Sequence, residues 1–400
     1  MIHSTYHWIH SMDFMQQKAD ALTQSGVFSG IEWRVDQHAE TLFAGRSGVQ
    51  DVQTESGIPD QAIYRIYSMT KPIVSVLALI LIEQGVFRLN TPLSELDPRF
   101  SKMRILGTDG HLAPADGLIT IEHLLTHRAG FSYDFTVGCP VAPYYRAADI
   151  MGDGARDLSD LAGSIAEQPL VFNPGQSWLY SVSTDVLAHA IECATGKRID
   201  DLLMDHIFDP LGMVDTTFCL TPDQQGRLMA IYGPRSISAL PVLQKMPHDL
   251  SVQADLGASH PLSDPNFRRG GYGLYSTVSD YMAFANMLLT GRAPSGDIIL
   301  SSAMMDMARA VRVSFAQNTF RINDEPFSGY GWGLLGRVME NIEQAQYPTS
   351  QGEFGWSGAA ATYFWVDPKR QVTGCVMTQY IGSEHPLGNM MHTAAMRMLG

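Results

Sequence analysis

Residues 67–71 read YSMTK, which sets the hydroxyl of Ser68 and the amine of Lys71 three positions apart. Lys71 is one of only six lysines in the chain. The run that follows it, Pro72-Ile73-Val74-Ser75-Val76-Leu77-Ala78-Leu79-Ile80-Leu81-Ile82, would be apolar on every side of a helix, so that helix is predicted to be buried. Pro72 has no backbone N–H and suits a first helical turn, which puts Ser68 at or just before the helix start. Residues three apart share a helix face, so the hydroxyl and the amine can meet. A lysine buried at a helix amino terminus has its charge disfavoured twice, by desolvation and by the positive end of the dipole. The neutral amine that results is what a general base must be, and the same dipole favours an oxyanion near Ser68. The pair reads as an activated serine nucleophile. An isolated Ser-x-x-Lys match would mean less, a capping serine followed by a solvated lysine.

Such a pair needs a rigid frame. At one end, SGIEWRVDQHAETLFAGRSG (29–48) alternates Ile31, Trp33 and Val35, breaks at Asp36-Gln37-His38 and resumes as a second strand. At the other, ATYFWVDPKRQVTGCVMTQY (361–380) repeats the pattern around an Asp367-Pro368-Lys369-Arg370 turn. Both are hairpin signals, so a largely antiparallel sheet is expected from the two chain ends. Helices are expected at about 14–22 and 387–398, packed on its faces. Between them, ITIEHLLTHRAG (119–130), 184–213 and TVSDYMAFANMLLTGR (277–292) have helical spacing, with Gly130, Gly196, Gly212 and Gly291 where helices should stop. The expected fold is α+β: an antiparallel sheet flanked by helices, with an inserted, mainly helical domain. Residues 1–90 and 311–400 would form the α/β sandwich and 91–310 the helical domain, with a ligand cleft between them.

Composition narrows the partners. The chain has 400 residues, 45% of them hydrophobic and 17% charged, and a net charge of −14. That charge argues against nucleic acid and against an anionic membrane surface. The longest apolar run has eleven residues, well short of the roughly 20 that span a bilayer. The opening MIHSTYHWIHSMDF lacks a positive region followed by an apolar stretch, so a cytoplasmic address is expected. Cys139, Cys193, Cys219 and Cys375 lack CxxC spacing and read as buried free thiols.

Three further segments follow YSMTK in order: ITIEHLLTHRAGF (119–131), NPGQSWLYSVSTDVLAHAIECATG (173–196) and FGWSGAAATYFWVDP (354–368). With these the chain resembles the serine β-lactamase-like superfamily, the class C β-lactamase fold, and in motif pattern most of all the family VIII carboxylesterases. The resemblance implies that Ser68 attacks a carbonyl, that Lys71 keeps its proton balance, and that Tyr180 carries a proton to the leaving group and later activates the deacylating water. It implies an oxyanion hole from the amides of Ser68 and Ala359, with Gly358 permitting close substrate approach. The residues themselves place Tyr180 after a Pro-Gly turn and before a helix capped by Ser181 or Ser183. A phenol would need the field of the adjacent lysine to act as a base.

Two positions depart from the pattern. Trp356 stands where lactam-handling members carry a lysine or histidine, and Val182 stands third where they read Tyr-x-Asn. Both changes remove groups that would meet a lactam, whereas family VIII esterases share the tryptophan. An esterase acting on small-molecule, short-chain esters is therefore expected, without cofactor or metal. Tyr133, Trp332, Trp356, Ser357 and Gly358 are the candidate substrate-binding residues. A β-lactamase, D-aminopeptidase or acyltransferase of the same fold is the alternative, and a non-catalytic binding protein a more distant one.

Two other patterns compete. GWSGA (355–359) fits a Gly-x-Ser-x-Gly/Ala elbow, with Asp367 and His385 following in chain order; that elbow needs a helix after the serine, and the residues here are strand-like. Glu122, His123 and His127 have partial metal-ligand spacing on a helix but no evident third ligand, and read as structural.

Overall fold

The computed structural model describes residues 3–399 apart from 234–247, 252, 255, 316–319, 323–324 and 384, with side chains from residue 14 onward except that of residue 325. Helix α1 (His3–Gln24) leads into β1 (Gly30–Gln37), β2 (Glu40–Asp51) and the short β3 (Ser56–Gly57). A 3-10 turn at Tyr67–Met69 runs into α2 (Thr70–Glu83), and α3 (Ile121–Leu125), α4 (Ser183–Thr195) and α5 (Val278–Thr290) follow. The chain closes with β4 (Tyr330–Trp332), β5 (Arg337–Met339), β6 (Phe354–Ser357), β7 (Tyr363–Asp367), β8 (Val372–Met377) and α6 (Leu387–Met398).

The eight strands form one sheet in the order β4-β5-β6-β7-β8-β1-β2-β3, and its pairings are antiparallel. The two predicted hairpins meet at its centre, where β1 lies against β8 with Glu32 opposite Met377 and Gln37 opposite Val372. The first turns through His38 and Ala39, both left-handed at φ 52° and 62°, as a tight primed turn between twisted strands demands. In the second, the Asp367 carboxylate accepts the Arg370 amide at 3.0 Å and closes the turn.

Side-chain alternation decides what covers each face. Ile31, Trp33, Val35, Trp365 and Val376 pack with Met15, Ala19, Met391 and Ala395 of α1 and α6. The opposite face meets α5: Asn286 donates to Asp36 at 2.6 Å and accepts from the Thr373 hydroxyl at 2.6 Å, while Tyr281 packs edge-on to Phe364 at 5.0 Å. Because helices cover both faces, β7 and β8 are buried throughout. Helix α2 is buried from Thr70 to Leu81, as its all-round apolar run requires. Truncating one of its core leucines, such as Leu77→Ala, should cost about 2–5 kcal/mol.

The antiparallel α+β architecture agrees with the sequence, and several details correct it. Helix α1 is longer than 14–22. Gly196, Gly212 and Gly291 end helices in the left-handed region. Gly130 shares the positive φ, at 90°, but ends no helix: it lies beyond α3, where a Cβ would also come within 2.4 Å of the Phe172 carbonyl. The four cysteines are free, but only Cys375 is buried, while Cys193 is exposed. Among the described residues no helix is long and apolar enough to cross a membrane.

Candidate active site

Ser68 sits in the 3-10 turn that winds into α2. Tyr67, just before it, is left-handed at φ 44°, a conformation that costs a bulky residue about 1–2 kcal/mol and is held only by firm surroundings. One turn on, the Lys71 Nζ donates to Ser68 Oγ at 3.2 Å and to the Gly271 carbonyl at 2.7 Å. The same ammonium position lies 4.6 Å from the Tyr180 ring centre and 5.4 Å from that of Tyr133. Burial lowers the Lys71 pKa to about 7, and the Asp185 carboxylate nearby works in the opposite direction. Near neutrality a large share of this lysine is therefore the free amine.

Tyr180 is delivered by the loop that precedes α4. Pro174-Gly175 makes the turn, with Gly175 at φ 81°, and Leu179 N–H donates to the His127 carbonyl at 3.0 Å. The His127 ring lies 4.7 Å from the Tyr180 ring and accepts the Ser181 amide at 3.3 Å on Nδ1. The helix opens on Val182, whose side chain is buried and caps nothing; Ser181 and Ser183 pair with each other at 2.9 Å. That corrects the expected serine cap. The Tyr180 hydroxyl oxygen accepts a hydrogen bond from Trp356 Nε1 at 3.0 Å. Burial raises its pKa above the ordinary phenol range, with hydrogen bonds from Ser68 and Trp356 pulling weakly the other way. The phenol is neutral at rest, and desolvation is the largest influence on its acidity.

The third wall is the end of β6. Gly358 N–H donates to the Thr362 carbonyl at 2.8 Å, and the Thr362 hydroxyl donates to the Ile66 carbonyl at 3.4 Å. A Cβ on Gly358 would lie 2.3 Å from Thr362 Oγ1 and 2.4 Å from Ile66 O. The glycine is needed for close approach of two chain segments, the end of β6 and the residues at Ile66 that lead into the Ser68 turn. Gly358 also lines the cavity, so this packing reason stands beside the expected one of substrate approach. After Ser357 the chain returns directly as β7, so the helix that a nucleophile elbow requires is not there, and Asp367 is engaged in its own turn. The elbow reading fails on that geometry.

Ser68, Tyr133, Tyr180, Trp356, Ser357, Gly358 and Ala359 line one cavity of about 510 Å³. Phe135, Met151 and Phe327 add apolar wall, and Tyr272 adds a phenol. Trp332 is not among the lining residues. Its indole donates to the Leu125 carbonyl at 3.3 Å and braces Trp356 edge-on from behind at 4.6 Å. Sequence reasoning missed Asp185, Gly271 and Tyr272. Asp185 stands in the first turn of a helix, where an acid is ordinarily read as complementing the dipole, so its chemistry was masked.

The histidine pair has other work. Glu122 pairs with Arg312 at 3.4 Å, and His123 and Thr120 form a reciprocal cap for α3. Among the described residues no group of three His, Cys, Asp or Glu side chains could hold a metal ion.

Comparison with known proteins gives the family and the fold. The sequence model of the Beta-lactamase family matches residues 15–390. Esterase EstB of Burkholderia gladioli is 27% identical over 359 residues, covering 88% of this chain and 87% of that one. Monacolin J acid methylbutanoyltransferase of Aspergillus terreus (strain NIH 2624 / FGSC A1156) is 34% identical over 329 residues, 76% of this chain and 74% of its own. Among solved structures, EstCE1, described as a hydrolase with promiscuous acyltransferase activity, superposes with a TM-score of 0.81 at 23% identity, over 97% of this chain and 99% of that one. A family VIII carboxylesterase superposes with a TM-score of 0.70 at 17% identity, over 97% of both chains.

Proposed function

Given that the chain belongs to the Beta-lactamase family, we propose that it is a serine carboxylesterase that cleaves short-chain esters through an acyl-enzyme on Ser68. The observation that carries this reading is the Lys71 amine, buried, near neutral at about pH 7 and 3.2 Å from Ser68 Oγ. On this reading Lys71 takes the Ser68 proton as Oγ bonds to the ester carbonyl carbon. The negative charge that develops on the carbonyl oxygen is received by the amides of Ser68 and Ala359. Tyr180, a neutral phenol between Ser68 and Trp356, gives its proton to the departing alkoxide and regains one from Lys71. Water then enters, and the same groups run the sequence in reverse to free the acid. The stretch 1–90 with 311–400 would supply Ser68, Lys71 and Ala359, and 91–310 would supply Tyr133 and Tyr180.

The test is labelling with a fluorophosphonate followed by peptide mass spectrometry. The adduct is expected on Ser68, to vanish in Ser68→Ala and to stay on Ser68 in Ser357→Ala. An adduct on Ser357 would sink the assignment. Acyl transfer is the second reading, favoured by the named acyltransferase at 34% identity. It is separated by product analysis in the presence of a competing alcohol: a new ester in place of free acid would mark a transferase.

A further inference from the structure

Asp185 lies five residues after Tyr180 in the first turn of α4 and is only 2% exposed. Its Oδ1 accepts the Gly271 N–H at 2.9 Å, and the carbonyl of that same Gly271 accepts the Lys71 amine at 2.7 Å. One glycine residue thus links a buried carboxylate to the lysine beside Ser68. The fit is tight: a Cβ on Gly271 would lie 2.4 Å from Asp185 Oδ2. That second oxygen is buried with no hydrogen-bond partner.

The groups that face Asp185 come from several elements. Lys71 and Arg269 are the cations, and the phenols of Tyr133, Tyr180 and Tyr272 feel its charge. His127 stands beyond Tyr180 and beside Lys71, and burial keeps it neutral. Arg269 directs its guanidinium to the carbonyls of Asp153 and Arg156, at 2.9 and 2.6 Å. A buried carboxylate with one oxygen unpaired is costly unless a charge nearby offsets it. Lys71 is the one of the two cations whose charge changes when the serine is activated.

We propose that Asp185 is a positioning residue: through Gly271 it fixes the Lys71 amine against Ser68, and it balances the charge that Lys71 gains. The proposal rests on the reading of Ser68 and Lys71 as nucleophile and base. In that step the Ser68 O–H bond breaks and an Nζ–H bond forms. The oxygen's electron pair makes the new bond to the acyl carbon, and the carbonyl π pair moves onto its oxygen. The Asp185 carboxylate gains no proton; it lies beside a neutral amine before the step and an ammonium after it. The enzyme would then stabilise charge at both ends of the transfer, with backbone amides at the oxyanion and a carboxylate at the ammonium.

Asp185→Asn tests this, because the amide keeps an oxygen for the Gly271 N–H and removes only the charge. Lys71 must be unprotonated to accept the proton, so kcat/KM for an aryl ester should rise with pH through about 7 in the wild type. In Asp185→Asn the plateau is expected to fall about tenfold and the rising limb to move to lower pH by about one unit. Asp185→Glu, which keeps the charge and alters its reach, should lose rate with the limb in place, and it is also measured in case the asparagine variant does not fold. A folded Asp185→Asn with an unmoved limb, or an equal move in Asp185→Glu, would overturn the proposal. Fluorophosphonate labelling of the wild type keeps the two readings apart: an adduct away from Ser68 removes the nucleophile assignment itself, whereas an adduct on Ser68 with an unmoved limb removes only the role of Asp185.

Discussion

The indole N–H of Trp356 donates to the hydroxyl oxygen of Tyr180 across 3.0 Å. A neutral donor therefore holds the phenol, at the position where the family resemblance leads one to expect a cation in a lactam-handling enzyme. Ser68 is the other hydrogen-bonding neighbour of the Tyr180 hydroxyl. Trp356→Phe would keep a ring against Phe327 and Trp332 and remove the donor. Loss of one hydrogen bond of about 0.5–1.5 kcal/mol should lower kcat about 2- to 10-fold. Steady-state kinetics on an aryl ester decides: a rise in KM with kcat unchanged would make Trp356 a wall and nothing more.

Selectivity for esters over β-lactams should follow from the same residue. A lactam carboxylate near an indole forfeits a charge-assisted hydrogen bond of about 1.5–3 kcal/mol, or about 10- to 150-fold in kcat/KM. Val182, buried in the core, offers no amide in compensation. A chromogenic cephalosporin and a short-chain aryl ester, measured on one preparation, should differ by at least that factor. Comparable values would replace the esterase reading with a β-lactamase.

Lys71 and Tyr180 should behave as one proton-transfer unit, since the amine lies 4.6 Å from the phenol ring and both flank Ser68. Lys71→Ala and Tyr180→Phe are each expected to lower kcat by about 10² to 10⁴. The double variant should be little worse than the weaker single one. Strictly additive losses, read as kcat at saturating ester, would mean that the two do separate jobs.

Acid should destabilise the fold through three buried histidines. Burial holds His127 and His260 well below the usual imidazole range, and His392 down to about 3. Each stays neutral in the folded chain and takes a proton when unfolded below about 6.5. Their stabilisation is thus complete above that pH and is lost as pH falls toward the folded values, at about 1.4 kcal/mol per unit for each group. The Tm should be lower at pH 5.5 than at pH 7, and His392→Gln should shrink that difference. An unchanged difference in a folded variant would mean that His392 titrates normally.

The Ser68–Lys71 pair and both central hairpins were legible because each rests on local spacing. Three residues bring a hydroxyl to an amine, and period-two alternation marks a strand. Trp332 was placed on the cavity wall because a large aromatic beside the site suits wall and core equally; which it is depends on Trp356 standing in front of it. The link from Asp185 to Lys71 was hidden for a different reason. It runs through Gly271, whose side-chain-free peptide carries no chemical signature and lies 200 positions from Lys71 along the chain. Ser181 and Ser183 misled as caps because hydroxyls compete for partners, and here they found each other and His127.

The pairing of β1 with β8 sets an order on biosynthesis. Val35 must meet Gly374 before the centre of the sheet exists, so a ribosome releases the serine-bearing segment long before it makes the strands that complete the site. Ala359 and Trp356 are translated late, and until they arrive Tyr180 lacks its donor and Ser68 lacks the neighbour proposed to share its oxyanion hole. Contacts of such sequence separation are slow to form, because a long loop must close before they repay its entropy. On the proposed mechanism, a nascent chain would carry Ser68 and Lys71 without the means to use them until the last hairpin docks.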